Sequence, residues 1–192
     1  MLASLPEKMG KTYEKLNDRL RDFIAQQRMF FVASAPLAGD GHINVSPKGF
    51  DSFRILDDKT VAYLDWFGSG VESIAHVKEN GRFVIMFCSF DRDPLIVRLH
   101  GKATVTERKD PEWRGLYERF DATRLARSII CLSIDRITDS CGWGVPMFEF
   151  QGEREQFAKY EAQKTDANLR ESQLKWNMES VDGLPGVSEP CW

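Results

Sequence analysis

Between residues 28 and 137 the chain alternates between short apolar runs and clusters of Gly, Pro, Asp and Asn, and this rhythm restricts it to a mainly β fold. The runs are "RMFFVASA", "GHINVS", "SFRILD", "TVAYLDW", "RFVIMFCS", "PLIVRLHGKATVTE" and "SIICLSIDRI". All are rich in Val, Ile and Phe, residues that suit a pleated and half-buried surface. So many strands at short spacing predict a closed or nearly closed antiparallel barrel.

Elsewhere the period changes to that of helices. In "TYEKLNDRLRDFIAQQ", Leu16, Leu20, Phe23 and Ile24 recur at helical spacing and leave the charge on the other face. "SGVESIAHVKEN" and "DPEWRGLYERF" predict two short helices that interrupt the strands. Two polar helices are expected in "GEREQFAKYEAQK" and "DANLRESQLKW", followed by the turn-rich tail "NMESVDGLPGVSEPCW". With 192 residues and neither a repeat nor a low-complexity linker, a single domain is the simplest organisation. A domain of this size buries about 70% of its unfolded surface, enough for a core without staples.

Charge excludes some functions. The 26 basic and 29 acidic side chains sum to −3, which gives no footprint for nucleic acid or an anionic membrane. The 16 positions before "RMFFVAS" are too polar for a signal sequence, and no apolar run approaches the roughly 20 residues of a membrane span. Cys88, Cys131, Cys141 and Cys191 form no CxxC pair and no metal-ligand spacing with the three histidines. A reduced, cytoplasmic protein without a structural metal is therefore expected.

Four places could carry chemistry. In "GHINVSPKG", alternation sets Ile43 and Val45 toward the core and Asn44 and Ser46 toward a groove; Pro47 then ends the ladder and frees Lys48 to meet an anion. In "DWFGSGVES", Asp65 and Trp66 end a strand, and Gly68 and Gly70 let the backbone approach a ligand around Ser69. The same stretch reads as a capping box, Ser69 and Glu72 each satisfying a backbone donor of the other, and the two uses are compatible. On the longest strand Leu95, Val97 and Leu99 share one face, leaving Arg98 and His100 on the other, either half-solvated or against an anion. Trp143, between two glycines and ahead of Val-Pro, lies where the backbone must turn, and could wall a ring system or seal a subunit interface. His76 reads as a surface or packing residue. No Ser-His-Asp elbow, HExxH or paired-carboxylate spacing occurs, so no catalytic residue is assigned. By elimination, redox or transfer chemistry would have to come from a bound organic cofactor.

Taken in order, "RMFFVAS", "INVSPKG", "VAYLDWFGSGVESIAHVKENGRFVIMF" and "LIVRLHGKATV" resemble the pyridoxamine 5′-phosphate oxidase-like, FMN-binding split-barrel superfamily, over about residues 28–135. "SCGWGVP", "GERE" and "SVDGLPG" resemble its flavin-nucleotide-binding branch. The resemblance implies an antiparallel split barrel, mainly β with flanking helices; the change of character along the chain sets the barrel domain at residues 1–150 and leaves 151–192 as a helical appendage and tail of the same domain. It implies a homodimer with FMN at the subunit interface. Carried over by position, Asn44, Val45, Ser46 and Lys48 would line one side of the cofactor, and Asp65, Trp66, Gly68, Ser69 and Gly70 the other. Arg98, His100 or Trp143 would come from the second chain.

Two departures stand out. The oxidases proper carry an Arg-Lys pair at the helix entry, where this chain has Glu72 and Ser73, and a C-terminal Arg-x-His segment that is absent after "SIICLSIDRI". The expectation is an FMN-dependent oxidoreductase of a small molecule. The alternative is a non-catalytic protein that stores or senses a flavin, a deazaflavin or haem on the same barrel. Pyridoxamine 5′-phosphate oxidation itself is the third reading.

Overall fold

A computed structural model describes residues 10–192; residues 1–9, the start of the expected 1–150 barrel domain, lie outside it. Each of the seven apolar runs forms a strand. These are β2 (Phe30–Ser34), β3 (Asn44–Lys48), β4 (Phe53–Ile55), β5 (Thr60–Trp66), β6 (Arg82–Cys88), β7 (Ile96–Glu107) and β8 (Ala126–Ser140). They are joined by β1 (Thr12–Tyr13), a short strand inside the stretch expected to be helical, which pairs with β8. The helix of that stretch, α1 (Asp18–Gln26), begins only after Asn17, whose side chain accepts from the Leu20 N–H as an N-cap.

All pairings are antiparallel, and the sheet runs β3-β2-β6-β7-β8-β5-β4. Its two edge strands, β3 and β4, do not pair with each other, so the sheet curls into a half-barrel with a split. The long β7 and β8 form its spine. Their register shifts between His100 and Gly101. A Cβ at Gly101 would sit 2.0 Å from the Ser133 carbonyl oxygen, so only glycine allows this close approach.

Tyr63, Ile85, Phe87, Leu99, Ile130, Leu132 and Ile137 fill the inside of the curl and are fully buried. Leu16, Leu20 and Ile24 of the α1 segment cover one opening. Across the sheet, α2 (Glu72–Asn80) buries Ile74, Ala75, His76 and Val77, and ends on Gly81 in the left-handed region at φ 69°. The short α3 (Trp113–Tyr117) packs beside β8. Further on, α4 (Gln156–Gln163) and α5 (Asp166–Trp176) lie against the end of β5, where Leu169 packs on Phe67 and Leu125.

Three expectations are corrected. Ile43 and Val45 do not face the core: they are 75% and 63% exposed, because β3 is an edge strand whose outer face carries no further layer. Pro47 does not end the ladder; it lies within β3 opposite Phe31, tolerated because an edge strand can leave one N–H position unused. The Ser69–Glu72 capping box does not form. The N-cap of α2 is Val71, which makes no side-chain capping bond.

Candidate functional site

The split between β3, the end of β5 and the start of α2 holds a cavity of about 350 Å³. This lies within the range of roughly 300–1,000 Å³ usual for small-molecule sites. Along β3, Asn44, Ser46 and Lys48 project to the same side, as alternation requires. Their side chains are fixed in series. Asn44 Nδ2 donates to Ser73 Oγ on α2 at 2.9 Å, and Ser46 Oγ donates to Asn44 Oδ1 at 3.0 Å. Lys48 Nζ donates to Asp65 Oδ1 at 2.9 Å.

Asp65 is completely buried behind this wall and takes a second cation from β8. Arg127 Nε donates to Asp65 Oδ2 at 2.7 Å, and Ser128 Oγ donates to the same atom at 3.3 Å. Neighbouring residues of a regular strand point to opposite faces, yet Arg127 and Ser128 both reach Asp65. The reason is a bulge: Asp65 pairs with Ser128 but Trp66 with Ala126, which leaves Arg127 as the extra residue with its side chain redirected into the site. Burial raises the Asp65 carboxyl, but Arg127 and Lys48 pull it further the other way, down to about 2. It is therefore ionised at any ordinary pH.

Aromatic rings form the opposite wall. Phe50 stacks on Trp66 with centroids 4.7 Å apart and planes 7° from parallel, and Phe157 of α4 meets both rings edge-on. Phe50 holds φ at 56°, a left-handed conformation that costs a non-glycine residue about 1 kcal/mol. Strain of this kind concentrates at binding sites, where surrounding structure enforces it. The buried indole N–H of Trp66 has no hydrogen-bond partner among the described residues, although Trp66 lines the cavity. Nearby, burial and the Asp65 charge push the Tyr63 phenol well above its ordinary value.

The structure thus brings together Asn44, Ser46, Lys48, Trp66, Gly68 and Gly70 at one cavity, with Asp65 directly beneath. Val45 points to the outer face. Ser69 lines a separate cleft beyond Gly68. Arg98 and His100 lie half-buried on β7, where Arg98 bonds to Ser140 Oγ at 3.0 Å, and Trp143 is exposed in the loop after β8; none of the three lines the cavity. His76 is a packing residue, its Nδ1 3.0 Å from Ser34 Oγ. Arg127, Phe50 and Phe157 escaped the sequence reading. Arg127 had one signal: an arginine directly ahead of "SIICLSI", at the mouth of a wholly apolar strand, needs a buried carboxylate partner, and "YLDW" offers one.

Residues 16–141 match a protein-family model described as pyridoxamine 5′-phosphate oxidase. A curated Aspergillus flavus protein, described as the pyridoxamine 5′-phosphate oxidase family protein ustO, is 43% identical over 194 residues, covering 91% of this chain and 77% of that protein. The chain belongs to the pyridoxamine 5′-phosphate oxidase family. Two solved structures share its fold. HupZ of Group A Streptococcus superposes with a TM-score of 0.50 at 23% identity, over 64% of this chain and 91% of its own. A Lactobacillus delbrueckii protein described as a candidate pyridoxamine 5′-phosphate oxidase gives 0.52 at 20% identity, over 68% and 98%. The family match includes the β3–β5–α2 wall and Arg127, whereas α4 and α5 lie beyond it.

Proposed function

We propose that this family member binds FMN in the cavity, as a homodimer, and acts as an oxidoreductase on a small molecule. The observation that carries the reading is the convergence of two cations and a row of neutral donors on one cavity that also has a stacked aromatic wall. Lys48 has three N–H donors and gives one to Asp65; the Arg127 guanidinium has five and gives only part of them to Asp65 and Gly68. Spare donors on two cations suit a phosphate. The hydroxyls of Ser46 and Ser73, on residues that line the same cavity, suit the hydroxyl oxygens of a flavin nucleotide. When bound, the flavin would supply the two-electron chemistry, and the protein would bind and orient it. The exposed Ile43 and Val45 beside the site support a second copy of the chain covering that face.

A non-catalytic carrier or sensor is favoured by one specific feature. Asp65 and Glu72 set two carboxylates against Lys48 and Arg127, so the charged groups around the cavity sum to zero. The same balance, with Glu72 and Ser73 at the helix entry, weighs against a phosphorylated pyridine as substrate. Titration of the purified chain with FMN tests the binding reading: saturable quenching of flavin fluorescence and a rise in melting temperature are expected. No quenching and an unchanged melting temperature would sink it. With FMN bound, steady NAD(P)H-dependent bleaching of the flavin absorbance separates the oxidoreductase from the carrier.

A further inference from the structure

On the other side of Gly68 and Phe157 lies a second cleft, of about 390 Å³, which shares Phe67, Gly68 and Phe157 with the polar cavity. Its chemistry is the opposite. No charged residue among the described ones lines it: Phe157 and Tyr160 of α4 and Ser172 and Trp176 of α5 join Phe67, Gly68 and Ser69 in its lining. Phe67 and Tyr160 lie nearly parallel, centroids 6.1 Å apart and planes at 12°. Trp176 lines the cleft and is 48% exposed. Two lysines sit on the outside of this arrangement, Lys164 Nζ 5.4 Å from the Tyr160 ring centre and Lys175 Nζ 4.6 Å from that of Trp176. Most of the cleft therefore comes from the C-terminal helices, outside the segment that defines the family.

We propose that this cleft binds a neutral, planar aromatic molecule next to the polar cavity. Parallel and edge-on rings give a flat guest stacking contacts, and hydroxyl groups of Ser69, Tyr160 and Ser172 give neutral hydrogen bonds. A charged guest of either sign would lose its hydration in a lining that carries no charged residue. The proposal goes beyond flavin binding and stands without it, because the cleft is complete in the chain alone. The shared wall of Phe67, Gly68 and Phe157 places such a guest beside the contents of the cavity.

The test is a titration of the purified full chain, with no FMN added, by indole, tryptamine and indole-3-acetate, followed by NMR saturation transfer. Indole is expected to bind saturably and more tightly than its cationic and anionic counterparts. Trp176→Ala should weaken it roughly fivefold, the equivalent of one lost aromatic contact. Lys48→Ala, in the polar cavity, should change it by less than about twofold. Ser69→Trp, at an exposed position, should fill the cleft and abolish binding while the melting temperature holds; this keeps the test valid if Trp176→Ala fails to fold. Tighter binding of tryptamine or indole-3-acetate, indole binding that survives Ser69→Trp, or loss of it in Lys48→Ala would each overturn the proposal. So would a Trp176→Ala variant that changes oligomeric state and leaves indole affinity intact, since the cleft would then be a contact between chains. FMN binding is read separately by flavin fluorescence, so either result can fail alone.

Discussion

Two carboxylates are buried with lysine partners in this barrel, and their surroundings differ in one decisive respect. At the far end of the spine, Glu107 pairs with Lys78 and also accepts from the Ser188 N–H and hydroxyl. Lys78 gives its three donors to Glu107, the Gly186 carbonyl and Ser188 Oγ, so both charges are satisfied within the protein. The C-terminal tail is what satisfies them. At the split, Asp65 binds two cations, but Lys48 has this one acceptor among the described residues and borders an open cavity. A saturated pair fastens the tail to the barrel. An unsaturated one leaves donors for a ligand.

The largest effect expected from breaking this contrast is that of Asp65→Ala. It strands Arg127, whose side chain is 5% exposed, together with Lys48, and the loss of a buried charge partner costs about 3–5 kcal/mol. Glu107→Ala should cost less, about 1–2 kcal/mol, because Lys78 is more exposed and keeps two acceptors. Its distinct signature should be faster proteolysis of the tail after Trp176. Urea denaturation gives both costs, and equal values would show that the second cation on Asp65 is energetically irrelevant.

The two lysines should then separate by ligand. Lys48→Ala should weaken FMN binding by about one to two decades, the worth of a charge-assisted hydrogen bond of roughly 1.5–3 kcal/mol. Lys78→Ala should leave FMN affinity unchanged and lower stability instead. Flavin fluorescence titration of both variants decides it; equal affinities would remove Lys48 from the site.

A smaller effect is set by pH. Asp65 is held at about 2 against an ordinary 3.8. A depressed carboxyl contributes stability that is complete above the unfolded value and is lost as pH falls through the folded one, here between about pH 4 and pH 2. The amount is about 2 kcal/mol. Urea midpoints across that window should fall more steeply for the parent chain than for Asp65→Asn. Identical slopes would mean that the carboxylate is not the group both cations hold.

How much of this was legible in the sequence follows from the range of each interaction. Strand positions are readable because alternation and turn residues are local; alternation sets Asn44 and Ser46 on the cavity side, whereas Lys48 is expected there because Pro47 would end the ladder, and Trp66 because it ends a strand ahead of two glycines. Val45 and Ile43 were misplaced because a strand's pattern shows that it has two faces but not which face is covered; that depends on β3 lying at an edge. Arg127 was missed because its direction comes from a bulge that exists only in the pairing of β5 with β8. Phe157 comes from a helix more than 90 residues beyond Trp66, and no local signal links the two.

Ser69 gives the smallest and sharpest test of the difference between local reading and tertiary outcome. As the cap of a capping box, its hydroxyl would hold a backbone N–H of α2, and Ser69→Ala would cost about 1 kcal/mol. In the structure Val71 takes the cap position without any side-chain bond, and Ser69 is exposed on the rim of the aromatic cleft. The Glu72 side chain instead turns back over Gly70, where an added Cβ would lie 2.4 Å from one of its oxygens. Ser69→Ala should therefore change stability by less than about 0.5 kcal/mol, as for a surface position without special contacts. Gly70→Ala should force Glu72 away from the cavity and, by withdrawing one of the two carboxylates that oppose Lys48 and Arg127, strengthen FMN binding slightly. Thermal denaturation of the first variant and flavin titration of the second measure these shifts. A full 1 kcal/mol loss in Ser69→Ala would restore the cap.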